Sequence, residues 1–294
     1  MKIQVMNHIK KIYNSLLEIK TKIKYYFSYV YYPWNTYSKS NIDNAFYKRD
    51  KLRYRSYSDN DKFINLGAGS TFYHPRWTCL DFYRNGMNQI FSNYVPWDFT
   101  LENSLPKSYK LVYCSHVFEH IPKHSSKKFI ENIYNCMDND GLLRITLPDA
   151  DIGYNAYSEG RYDVLQIWEN KIKKSGLKIA PEYYFEFLLL HCFATPKTWE
   201  FTPLLGESIR KAHKSMSKIE FLDYLIEGLY ANSEDGQDHL NWFNFEKLKK
   251  ILKDQGFSNV YRSGYGQSRS PAMRDVPLFD EFIPCMTLFV EAIK

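Results

Sequence analysis

Two apolar rhythms alternate along this chain. Largely apolar runs of four to six residues, the pattern of a buried parallel strand, fall at 63–66, 111–115 and 142–147. Further runs at 79–80, 94–97, 259–262 and 286–293 extend the series. Between them lie stripes of helical period. Phe129, Ile130, Ile133 and Met137 recur over 125–137, with Ser125 placed as N-cap. A second helix runs from an Asn244 cap to Gln255 and stops at Gly256. Strands alternating with helices predict a parallel, doubly wound α/β sheet. Residues 151–238 break the rhythm and read as helices at 154–157, 164–174, 183–192 and 218–229, an insertion acting as a lid or substrate module. Ahead of the sheet, Ile9, Ile12, Leu16, Ile19, Ile23 and Phe27 make an amphipathic stripe over 1–31, and 35–60 reads as a polar, Tyr-rich linker or arm. The expected divisions are 1–60 (helix and arm), 61–150 (first half of the core), 151–238 (insertion) and 239–294 (core resumed).

The chemistry concentrates just past the first strand. Gly67 and Gly69 let the backbone take a positive φ and let a ligand approach the main chain. Asp81 ends the next strand, where a carboxylate can accept from ribose hydroxyls. A dinucleotide site wants a third glycine and an acid about 20 residues on, with pyrophosphate on a helix N-terminus. Here Ser70-Thr71-Phe72 follows Gly69, and Asp81 comes only 14 residues after Gly67. A ligand with one ribose and no phosphate, S-adenosylmethionine, fits this better than NAD.

Charge changes the picture at one end. Residues 1–60 carry 12 Lys and Arg against 4 Asp and Glu, a net of +8, while the rest of the chain nets −2. The basic stripe over 1–31 suits packing against the domain or a protein partner, or contact with an anionic membrane surface. Nucleic acid is not expected as a partner, because the core has no basic bias. No apolar run reaches the 18 residues of a membrane span, and no secretory signal is visible. Five cysteines without CxxC spacing read as reduced thiols in the cytoplasm.

With these pieces in order, the chain resembles the class I S-adenosylmethionine-dependent methyltransferases, closest to the type 11 or predicted-methyltransferase group often encoded in surface-glycan gene clusters. The matching stretches are INLGAGS (64–70), WTCLDF (77–82), PWDF (96–99), LVYCSHVFEHIP (111–122), GLLRITLPD (141–149) and the segment 239–260. The resemblance implies a Rossmann-like sheet with an antiparallel last strand and S-adenosylmethionine as cofactor. It implies that Gly67, Ala68 and Gly69 flank the methionine part, with Ser115 and His116 on the same side. Asp81 would hold the ribose, Phe82 border the adenine, and Asp98 accept from the adenine amino group beside Phe99. The acceptor it implies is a sugar hydroxyl of a glycan or glycan precursor. A nucleic-acid methyltransferase using the basic arm, and an inactive cofactor-binding partner subunit, stay open as alternatives.

Methyl transfer to an alcohol needs a base as well as alignment. The candidates are the polar residues capping the fourth and fifth strands, His116, His120 and Asp149, together with His239 where the insertion rejoins the core. His239 is the preferred base, with Asp149 orienting it; a purely structural tie is its alternative. Glu119 reads as structural. His116, His120 and His124 are spaced like a metal face, but Pro122 interrupts the helix that would present them, so no metal site is expected.

Overall fold

The computed structural model describes residues 46–48, 50–69, 72, 74–81, 94–99, 105, 108–169, 179–193, 203–227, 239–280 and 282–294. The expected helix over 1–31 lies outside them. Seven strands form one sheet: β1 (Lys62–Leu66), β2 (Trp77–Asp81), β3 (Tyr94–Pro96), β4 (Tyr109–Ser115), β5 (Met137–Pro148), β6 (Ser258–Arg262) and β7 (Thr287–Ile293). Their order is β3-β2-β1-β4-β5-β7-β6. β1 pairs in parallel with β2 and β4, and β4 with β5, while β7 runs antiparallel to both β5 and β6. The mostly parallel sheet with an antiparallel last strand is therefore as expected. The strand order reverses between β1 and β4, and the carboxyl ends of those two strands open the crevice where ligands bind in such sheets.

The pleat sorts the core into two layers. Ile64, Leu66, Val112, Cys114, Leu143 and Ile145 face one side and meet helices α1 (Lys123–Cys136) and α7 (Phe245–Gln255). Asn244 caps α7 by accepting from the Lys247 amide at 3.0 Å, and Gly256 closes it at φ 108. Ser125 does not cap α1: that helix starts at Lys123 after Pro122, whose missing N–H costs nothing there.

Phe63, Trp77, Leu111, Tyr113 and Leu142 face the other way, against Tyr54, Ala272, Met273 and Phe279. Among the described residues that face is covered by segment 46–57 and the loop after β6 rather than by a long helix. Tyr54 accepts from the Trp77 indole at 2.6 Å, Asp50 meets His74 at 3.1 Å, and Tyr57 donates to Ser270 at 2.8 Å. Asp50, Tyr54 and Tyr57 are thus tied into the packed core, which corrects the reading of 35–60 as a linker over that stretch. The loop is anchored by Arg144 of β5, which pairs with Asp280 at 2.5 Å and Glu291 at 3.1 Å in full burial.

The insertion builds a core of its own. It comprises α2 (Ala150–Ser158), α3 (Tyr162–Leu165), α4 (Tyr184–His191), α5 (Pro203–Ser215) and α6 (Lys218–Glu227). Phe187, Leu188, Leu189 and Leu190 are all fully buried in α4, against Phe221, Leu222 and Leu225 of α6. Helix α5 is not anticipated by the sequence reading. It begins on Pro203, which suits a first helical position, but Gly206 in its opening turn lowers helix propensity there.

Candidate active site

Three segments meet at the crevice. The first is the glycine turn after β1. Gly67 and Gly69 take φ values of 72° and 63°, which side-chain-bearing residues resist. A methyl added at Gly67 would run into Val117, whereas one at Gly69 would meet open space. The turn is held from within. The Gly67 and Ala68 amides donate to the Leu80 carbonyl at 2.7 and 3.1 Å, and the Gly69 amide to the Asp81 carboxylate at 2.5 Å. What the turn offers a ligand is thus close approach at Gly69, not spare donors at Gly67 and Ala68. Asp81 is half-buried beside it, and the Asp81 carbonyl accepts from the Trp97 amide at 2.7 Å, which brings the segment with Asp98 and Phe99 alongside. Asp98 and Phe99 are half-buried, and Phe99 packs edge-on against Phe129 of α1. Phe82 lies outside the described residues.

The second segment leaves β4. Ser115 accepts from the Thr146 hydroxyl at 2.7 Å, and the next residue, His116, takes φ 51°. That left-handed conformation is uncommon for a histidine, and it turns the chain sharply off the strand into the 3-10 turn Phe118–His120. The turn brings His116 and Glu119, three residues apart, into contact: His116 Nδ1 lies 3.1 Å from Glu119 Oε1. The other ring nitrogen of His116 is 3.3 Å from Thr287 Oγ1 on β7, and Phe282 packs edge-on against the ring.

The third segment is the one that returns from the insertion. The Leu240 and Asn241 amides donate to the Glu119 carbonyl at 2.7 and 3.0 Å, and Phe243 bridges to Asp149 in parallel register. This docking sets His239 against His120, with ring centroids 4.9 Å apart in a T-shaped contact. Ligand-type atoms of Glu119, His120 and His239 all lie within 4.8 Å of one another.

Glu119 is the hub that the sequence reading passes over as structural. It is 1% exposed. Burial pushes its carboxyl up, but the His116 hydrogen bond and the charges of His116, His120 and His239 outweigh it and hold the group down at about 2. Its Oε1 faces His116, whereas Oε2 is buried with no hydrogen-bond partner. The hint in the sequence is the spacing H-x-x-E-H over 116–120, one residue short of Pro122, which fits one tight turn rather than a longer helix.

Asp149 does not orient His239. One of its oxygens accepts from the Asp151 amide at 3.0 Å as the N-cap of α2, and the other pairs with Arg262 at 3.0 Å. Burial pushes its carboxyl up from the ordinary value, partly offset by the Asp151 amide and Arg262. The residue ends β5 and starts a helix at once, so its side chain serves the backbone. Glu119, not Asp149, is the carboxylate near His239, with ligand-type atoms of the two within 4.8 Å. His124 is exposed on α1 and does not join the cluster.

Such an arrangement sets a half-buried imidazole pair beside a deeply buried carboxylate, on the same sheet edge as a glycine turn open to a ligand. It can bind a nucleoside on one side and move a proton on the other.

The model of a family described as a methyltransferase domain matches residues 41–262. A comparison with curated proteins gives no match. Similar solved structures include an S-adenosylmethionine dependent methyltransferase from Mesorhizobium loti, 10% identical, covering 83% of this chain and 96% of that one at a TM-score of 0.41. A SAM dependent methyltransferase from Archaeoglobus fulgidus is 13% identical over 87% of this chain and 95% of its own, at 0.40. Human N-acetylserotonin methyltransferase, in complex with SAM, is 11% identical over 85% of this chain and 53% of its own, at 0.38.

Proposed function

The chain belongs to the methyltransferase-domain family, and from that premise we propose that it O-methylates a hydroxyl acceptor with S-adenosylmethionine, the acceptor being a sugar hydroxyl of a glycan or glycan precursor. The observation that carries this reading is the gathering of His116, His120 and His239 around Glu119, at the strand ends that also carry the glycine turn. S-adenosylmethionine supplies a methyl group on a sulfonium, a leaving group that needs no protonation. The residues present fit it: Gly69 leaves room for close approach, and Asp81 and Asp98 stand half-buried on neighbouring strand ends. Asp81 holds the ribose and Asp98 the adenine edge.

The protein's own work is to align the acceptor oxygen and take its proton. The acceptor O–H gives its proton to the cluster, at His239, as the new O–CH3 bond forms and the C–S bond breaks with its electron pair left on sulfur. Glu119 stabilises the positive charge that this leaves on the imidazole. The glycan half of the reading rests on the resemblance carried by 111–122 and 141–149. A net charge of −2 outside residues 1–60 speaks against nucleic acid as acceptor. No described helix is long and apolar enough to cross a membrane. The basic segment 1–31 suits a protein partner or an anionic membrane surface, and the free cysteines suit the cytoplasm.

His239→Ala tests the assignment. Turnover should fall by roughly 100-fold or more with cofactor affinity nearly unchanged. Single-turnover rates and a cofactor titration on the same variant decide it, and near-normal turnover removes His239 from the chemistry.

A further inference from the structure

The strongest unexplained feature of the cluster is Glu119 Oε2. A carboxylate oxygen buried without a hydrogen-bond partner is costly and needs an explanation. Glu119 sits with two imidazoles: one of its carboxylate oxygens and one nitrogen from each of His120 and His239 lie within 4.8 Å of one another. A cavity of ≈ 10 Å³ touches Glu119, His239 and Asn241, with Cys192, Phe193 and Trp242 making much of the rest of its wall, and has room for about one water. From this geometry we propose that Glu119, His120 and His239 bind one divalent first-row transition-metal ion, which holds and acidifies the acceptor hydroxyl. The acceptor half of this proposal rests on the methyltransferase reading; the metal half stands on the residues alone.

Two imidazoles and one carboxylate select ions of the manganese-to-zinc series over magnesium or calcium, which prefer all-oxygen sites. Bond lengths of about 2.0–2.2 Å put neighbouring ligand atoms about 3–3.5 Å apart, so the three side chains need to draw together by only about 1 Å. His120 and His239 are half-buried, so they can move that far. Glu119 cannot, and it is already set. His116 holds its Oε1 at 3.1 Å, and Thr287 is 3.3 Å from the far side of the His116 ring. A ligand carboxylate fixed by an outer hydrogen-bonding group is how metal sites are oriented. The left-handed φ of His116 is what makes that hold.

Three protein ligands leave positions open for the acceptor. A hydroxyl held there has its pKa lowered, so its proton passes to solvent at the half-open edge while the oxygen attacks the methyl carbon. The C–S bond breaks as before, and nothing is oxidised or reduced. In this arrangement His239 is a ligand to the ion and replaces the base role given to it above, the acceptor's proton going to solvent.

The test uses the full chain, stripped with a chelator and titrated with Co²⁺ and with Mn²⁺. Expected is saturable binding of one ion per chain, with Co²⁺ absorption bands of nitrogen–oxygen ligation. His239→Gln and His120→Gln should each weaken binding by at least about 10–100-fold without changing the melting temperature of the stripped protein. Glu119→Gln should do the same, and because that side chain is fully buried, the two histidine variants carry the conclusion if it fails to fold. No saturable binding, or binding indifferent to His120 and His239, overturns the proposal. If His239→Ala loses turnover while neither ion binds, the metal falls and the base reading stands. If the ion binds through these residues but no hydroxyl acceptor is methylated, the metal stands and the acceptor reading falls.

Discussion

At the scale of single residues, the site divides into groups that hold and groups that act. Asp81 already accepts from the Gly69 amide, so its carboxylate is fixed before any ligand arrives. Asp81→Ala should weaken S-adenosylmethionine binding by roughly 1.5–3 kcal/mol, the scale of hydrogen bonds to a charged group. Calorimetry on folded variant measures this, and an unchanged dissociation constant takes Asp81 out of the site. Glu119 makes a different claim, about acid. Its folded carboxyl sits at about 2, below the roughly 4.3 of an unfolded glutamate. A depressed carboxylate contributes stability above the unfolded pKa and loses it as pH falls through the folded one. The stability gap between the protein and its Glu119→Gln variant should therefore narrow as pH falls from about 4.3 to about 2. Denaturant melts across that range show it. A gap that closes near pH 6 instead would assign the pH dependence to the histidines. A fall in activity between pH 5 and 7 likewise cannot be Glu119 taking up a proton.

At the scale of elements, the glycine turn and the β4 exit explain each other. Gly67 has no room for a side chain because Val117 packs on it, and Val117 is there because His116 bends the chain off β4. Gly69, two residues on, faces open space at a similar φ. The two glycines should therefore fail differently. Gly67→Ala combines a left-handed backbone with a clash and should cost stability well beyond the about 1–2 kcal/mol of the backbone term. Gly69→Ala should cost only that term yet impair cofactor binding, because its methyl enters the ligand's space. Melting curves and cofactor titrations on both variants test this, and equal loss of binding without loss of stability at Gly67 would refute it. This contrast also marks what could be read in advance. The strands, the α7 caps at Asn244 and Gly256, and the glycine–acid pairing are local patterns, written in adjacent residues. Glu119 as hub is not legible, since His239 comes from a distant segment, as does Thr287, which meets the His116 ring that holds Glu119. The role of Asp149 was misjudged for a related reason: only the structure shows that the strand passes directly into a helix, which claims the carboxylate as a cap. Helix α5 opens on Pro203, a usable start signal, but Gly206 in its first turn weakens its period.

At the scale of the whole molecule, the sheet is covered by two unlike materials. One face carries α1 and α7 in a continuous apolar layer. The other carries segment 46–57 and the loop after β6, fastened by polar anchors: Asp50 to His74, Tyr54 to Trp77, Tyr57 to Ser270 and Arg144 to Asp280. A chain boundary at residue 61 would look natural from composition, because the basic excess ends there, but it would cut through this second layer. Packing therefore predicts a sharp dependence on where the chain is started. A chain beginning at residue 44 keeps Asp50, Tyr54 and Tyr57 and should melt as a fully packed core. One beginning at residue 58 loses all three and uncovers Phe63 and Trp77, which are 1% and 0% exposed in the intact protein. Losing a buried aromatic of this kind costs about 3–5 kcal/mol, and each kcal/mol is worth about 2–4 °C at this size. The shorter chain should thus melt about 10 °C or more below the longer one. Trp77 lies on β2, which ends at Asp81, so loosening it should also weaken cofactor binding although no cofactor-facing residue has been removed. Equal melting temperatures for the two chains would show that segment 46–57 only leans on the sheet. A lower melting temperature with full cofactor affinity would show that the two faces are energetically separate.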